Sequence, residues 1–198
     1  MQKSKITMPK VILDACVLFP MYLRDILLST AEAGLYRPYW SQKILDEAMG
    51  NLIRKGKISV EKARNLEEII TTAFPEAMVT VPLEVEEMMT NDPKDRHVLA
   101  AGVIAQASIL VTNNITDFDV QSLNPWNMTA QTPDDFLSDL FDNYPEDMVE
   151  VVRQQSQNYR KTPLSVIELL DLLSKVDGAN LPNFTSRIRF FGLGDNLV

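Results

Sequence analysis

The chain has 198 residues, 45% of them apolar and 23% charged, with a net charge of −8, one cysteine and one histidine. That length suits one well-buried domain with a small appendage. A lone Cys16 excludes an internal disulfide, one Cys and one His disfavour a structural zinc site, and no apolar run nears the roughly 18 residues of a membrane span.

The N-terminus "MQKSKITMPK" is basic but leads into no signal-type apolar core, so a cytoplasmic protein is expected. "KVILDACVLF" then reads as a buried strand ending near Asp14. In "LRDILLSTAEAG", Leu23, Ile26, Leu27, Thr30 and Ala31 share one helical face and Gly34 suits the C-cap. Ser41 can cap "QKILDEAMGNLIRKG", whose stripe is Ile44, Leu45, Ala48, Met49 and Leu52. Ser59 begins a further helix with Ile69, Ile70 and Phe74 on its buried side, stopped by Pro75. The cations Arg54, Lys55, Lys57, Lys62 and Arg64 crowd this segment and read as a solvated surface rather than a phosphate track.

"AMVTVPL" reads as a short strand. "NDPKDRHVLAAGVIAQA" has the grammar of a helix start: Asp92 as N-cap, Pro93 at the first position and Asp95 in the first turn. "SILVT" is the next strand and "WNMTAQ" a last edge strand. Thr132 and Pro133 then start the helix of "TPDDFLSDLF". Strands are expected near 10–14, 78–81, 108–112 and 127–130, and their alternation with helices implies a three-layer α/β/α fold with a central parallel sheet. Residues 10–142 form the α/β domain on this reading. Residues 143–198, with two amphipathic helices and the aromatic stretch around Phe184, Phe190 and Phe191, form a C-terminal helical extension packed on it or holding a partner.

Four acidic residues fall where such a sheet gathers its chemistry. Asp14 ends the first strand, and a carboxylate inside an apolar run is costly unless paired or metal-bound. Asp117 follows "SILVT", on the same carboxyl rim if those strands are parallel neighbours. Asp95 opens its helix, and Glu47 lies off the apolar stripe of its own. Taken singly, Asp95 is explained by the helix dipole, Glu47 by a helix surface and Asp117 by a turn; the joint pattern is the informative one.

These words, "VILDACVLFPMYLRDILLSTAEAGLYRPYWSQKILDEAMGNL", "FPEAMV" and "NDPKDRHVLAAGVIAQASILVTNNITDF", resemble the PIN-domain nucleases, in the branch of VapC-like toxins from bacterial toxin–antitoxin pairs. The resemblance covers about residues 10–140, and the tail is similar to that branch's helical extension. It implies an endoribonuclease with Mg²⁺ or Mn²⁺ held by Asp14, Glu47, Asp95 and Asp117, acting on RNA, with a small antitoxin protein as partner, a homodimer and no membrane. Thr112, Asn114 and Asp92 are the supporting residues. Two positions depart from the family pattern. Asn114 stands where many members have Asp, leaving Asp117 to supply that ligand. Cys16 stands where many have Asn or Ser, and as a thiolate it could bind softer metals. His97 is expected at the helix surface or supporting the site. The alternative is a PIN fold that binds RNA or protein without cleaving. A small-molecule phosphatase or transferase is disfavoured by the missing phosphate-cradling Gly-rich loop.

Overall fold

A computed structural model describes residues 8–159, 163–175 and 179–192. Parts of the basic N-terminus, of the "NYRK" helix end and of the 176–198 tail lie outside the described residues. Five strands form one parallel sheet: β1 (Lys10–Leu13), β2 (Arg37–Ser41), β3 (Met78–Val79), β4 (Ile109–Val111) and β5 (Thr129–Gln131), ordered β3-β2-β1-β4-β5. β1 is central, and Val11, Ile12 and Leu13 are fully buried, as a strand covered on both faces must be.

Between the strands run α1 (Ala15–Leu18), α2 (Met21–Glu32), α3 (Gln42–Arg54), α4 (Val60–Ala73), α5 (Leu83–Glu87), α6 (Arg96–Ala105), α7 (Val120–Leu123) and α8 (Pro133–Asn143). Their starts follow local chemistry: Ser41, Ser59 and Thr132 each accept from the backbone N–H three residues on. The predicted stripes of α2 and α3 are buried. In α6, residues His97 to Gly102 are all buried. Gly102 makes this packing possible, because a Cβ there would sit 2.6 Å from Met128 Cε and 3.3 Å from Ile12 Cγ2.

The C-terminal helices are α9 (Pro145–Asn158), α10 (Val166–Lys175) and α11 (Pro182–Gly192). α10 opens with a reciprocal capping box, in which Ser165 Oγ accepts from Glu168 N and Glu168 Oε2 accepts from Ser165 N. α9 seats on α2, where Tyr159 Oη donates to Asp25 Oδ2 at 3.0 Å. α11 packs on α8, whose Asp134 carboxylate accepts from the N–H groups of Asn183 and Phe184.

Three expectations are corrected. The sheet has a fifth strand, β2, in the segment read only as a helix entry. Its Pro38 lacks a donor, but Arg37 N donates to Pro9 O on the β1 side and Trp40 N to Ala77 O on the β3 side. By alternation Pro38 faces the β3 side, ahead of where β3 begins, so no ladder bond is lost. A helix, α11, forms in the aromatic tail. Ile69 is exposed, because Ala63 and Ile70 carry the buried side of α4.

Candidate active site

The site forms at the carboxyl ends of β1 and β4, which are paired neighbours. Asp14 follows β1 directly. Its N–H donates to Val111 O at 3.2 Å, and its carbonyl accepts from Val17 N, opening α1. Its side chain makes no cap and is free to serve the site. Thr112 Oγ1 donates to Asp14 Oδ2 at 2.7 Å, and Cys16 Sγ donates to the same oxygen at 3.0 Å. Thr112 is fully buried, and its Oγ1 also accepts from Asn114 N at 2.9 Å. Both side-chain donors therefore converge on Oδ2 of a carboxylate that is itself only 3% exposed.

"VTNNITDFD" leaves β4 as a tight turn. Asp117 N donates to Asn114 O, and Phe118 is buried beneath the turn. Asp92 N reaches Asp117 O at 3.4 Å, tying this loop to the segment before α6. There Asp92 Oδ1 accepts from Lys94 N at 3.1 Å and Asp92 O accepts from Asp95 N, shaping one 3₁₀ turn, Pro93–Asp95, ahead of α6. The expected helix start is thus one turn of tighter helix.

That turn brings Asp95 close to Asp14 and Asp117. Asp95 is 7% exposed, and its Oδ2 is buried with no hydrogen-bond partner. Burial first, then the Asp14 charge, pushes its carboxyl from the ordinary 3.8 up to about 7, with Asp117 adding to the rise and Lys94 opposing it. The Lys94 ammonium lies 3.2 Å from Asp117 Oδ2 and 3.9 Å from Asp95 Oδ2. Sequence reasoning passed over Lys94; the signal available was its place between Asp92 and Asp95.

Glu47 stands apart from this trio. Its carboxylate, on the exposed side of α3, lies 3.4 Å from His97 Nε2. His97 is buried, not at the helix surface, and its Nδ1 has no partner. Asn114 contributes its backbone to the turn rather than a side-chain bond to Asp14. Cys16 is not a thiolate: burial and the Asp14 charge push its thiol up to about 12, so it remains a protonated donor. The basic segment is partly spent on structure. Lys55 Nζ lies 4.6 Å from the centroid of the Phe19 ring, beside a groove of about 590 Å³ that contains Tyr22, Lys57 and Ile58, and Arg54 bonds to Asn51.

No three His, Cys, Asp or Glu side chains among the described residues are yet placed to hold a metal ion. The donor set nonetheless fits a hard divalent cation. All the candidate ligands are carboxylate oxygens, the buried Asp95 Oδ2 lacks a partner, and an ammonium already stands between Asp95 and Asp117.

Residues 133–190 match the family model described as the VapC50 C-terminal domain, starting within α8. A protein of Mycobacterium tuberculosis, named "Putative ribonuclease VapC50", is 38% identical over 113 residues, covering 54% of this chain and 64% of that protein. The chain thus spans less than two thirds of the length of the curated relative it matches. No solved structure matches. Residues 10–116, more than half of the chain and the span from β1 to the residue before Asp117, match the family model described as the PIN domain, so the chain belongs to the PIN-domain family.

Proposed function

We propose that the protein is a metal-dependent endoribonuclease, the toxin of a bacterial toxin–antitoxin pair, working in the cytoplasm. The observation that carries this reading is the meeting of Asp14, Asp95 and Asp117 at one sheet edge, with Asp95 driven up to about 7 by burial and its neighbours. Asp14, Asp95 and Asp117, with Glu47 from α3, would hold Mg²⁺ or Mn²⁺. When bound, such an ion lowers the pKa of water and offsets charge on a phosphodiester.

The chain's own residues prepare that site. Thr112 and Cys16 fix one oxygen of Asp14. With its carboxyl raised to about 7, Asp95 is only partly protonated at neutrality and would release that proton when a cation binds. Phe118 anchors the turn that carries Asp117, and Asp92 anchors the turn that carries Asp95. No imidazole or thiolate nucleophile is required: Cys16 is protonated and His97 faces Glu47. Residues 10–142 form the nuclease unit and 143–198 an extension whose described helices pack on it, supported by the seating of α9 on α2 and α11 on α8. RNA as substrate, a small antitoxin as partner and a homodimer follow from the family.

The second reading, a PIN fold that binds RNA or protein without cleaving it, is favoured by one observation: the carboxylates are not converged into a ligand cage. Incubating the purified protein with structured RNA, with Mn²⁺ and with EDTA, separates the two. Cleavage that needs Mn²⁺ supports the nuclease; RNA binding without cleavage, with metal bound, supports the second reading.

A further inference from the structure

The turn before α6 carries a cation that nothing in the catalytic scheme uses. Lys94 is 65% exposed, so its ammonium is free to remain in water, yet it lies 3.2 Å from Asp117 Oδ2 and 3.9 Å from Asp95 Oδ2. Its backbone cannot drift from this position, because Asp92 Oδ1 holds Lys94 N and Asp92 O holds Asp95 N. The ammonium thus bridges the turn that carries Asp95 and the loop that carries Asp117. A divalent ion requires the same carboxylate oxygens, and an oxygen paired to an ammonium is poorly available to a metal.

We propose that Lys94 is a built-in stand-in for the metal: it bridges Asp95 and Asp117 in the metal-free protein and must be displaced for the ion to bind. The proposal rests on the reading of these carboxylates as metal ligands. Lys94 is a positioning residue. It keeps two like-charged loops together while no ion is present, and it sets a threshold of metal concentration below which the site stays closed.

The test is Mn²⁺ binding without RNA, by calorimetric titration of the full chain, comparing wild type, Lys94→Gln, Lys94→Arg and Lys43→Gln. Lys43 is the charge control, since its ammonium is already paired with Glu86 at 2.6 Å. Lys94→Gln is expected to bind Mn²⁺ about two- to five-fold more tightly, the scale of one solvent-facing ion pair. Lys94→Arg should keep the wild-type affinity, and added salt should narrow the gap between wild type and Lys94→Gln. In EDTA, Lys94→Gln should melt at a lower temperature than wild type, because the acidic loops lose their bridge. Equal or weaker Mn²⁺ binding by Lys94→Gln overturns the proposal, as does equal tightening by Lys43→Gln. If wild type binds Mn²⁺ and Lys94→Gln is unchanged, only this inference falls. If neither protein binds the ion at millimolar concentration, the metal reading falls with it.

Discussion

Replacing Asp95 by Asn tests the electrostatics of the site without any substrate. The folded carboxyl stands near 7 against 3.8 in the unfolded chain, so between those values the folded protein holds a proton that the unfolded chain has released. Stability therefore falls as pH rises through that window and levels off above it. The gap corresponds to about 4 kcal/mol at ~1.4 kcal/mol per pKa unit for a group sealed from water. The exposed Lys94 ammonium stands 3.9 Å from Asp95 Oδ2, so screening reduces the expected effect to about 1–2 kcal/mol. In EDTA, urea denaturation from pH 4.5 to 8 should show wild type losing about this much relative to Asp95→Asn as pH rises. The variant should be the more stable protein at pH 8, with the difference vanishing towards pH 4. Parallel pH profiles for the two proteins, or a wild type that gains on the variant as pH rises, would refute the reasoning.

Three further outcomes follow from named contacts. Cys16, with its thiol near 12, should resist iodoacetamide at pH 8 in the folded state and react at once in urea, read by mass spectrometry; fast labelling of the native protein contradicts the protonated-donor assignment. Thr112→Val removes a fully buried hydroxyl that donates to Asp14 and accepts from Asn114 N, and should cost about 1.5–3 kcal/mol in urea denaturation at pH 7 and weaken Mn²⁺ binding; an unchanged affinity would mean that Asp14 is held by other means. Asp134→Ala leaves the first N–H groups of α11 without their acceptor, and should lower stability by about 1–2 kcal/mol with faster amide exchange confined to α11 and its contacts with α8.

What was legible in the sequence was local or costly. Asp14 stood out because a carboxylate inside "VILDACVLF" has to be satisfied by something, and the structure supplies Thr112 and Cys16. Ser41, Ser59 and Thr132 marked helix starts because capping needs only three residues of context. The misses depended on distant partners. α11 takes its N-terminal acceptor from Asp134, far away in sequence, so no local cap announced it. β2 carries a proline whose missing donor is harmless only because β3 is short. Lys94 drew no reading because its partner Asp117 arrives from the loop after β4. Of the two places expected for His97, the helix surface is excluded because α6 is buried on nearly every side between the sheet and its neighbours.

The most direct measurement is RNA cleavage by Asp14→Asn beside wild type, at saturating Mn²⁺, with both proteins purified free of contaminating nuclease. The substitution keeps the size of the side chain and a hydrogen-bonding partner for Thr112 while deleting the charge that would hold the ion. Wild-type cleavage that EDTA abolishes, together with loss of cleavage by a folded Asp14→Asn, is the predicted result. Full ribonuclease activity in Asp14→Asn, or a wild type that binds Mn²⁺ and cuts no RNA, would contradict it.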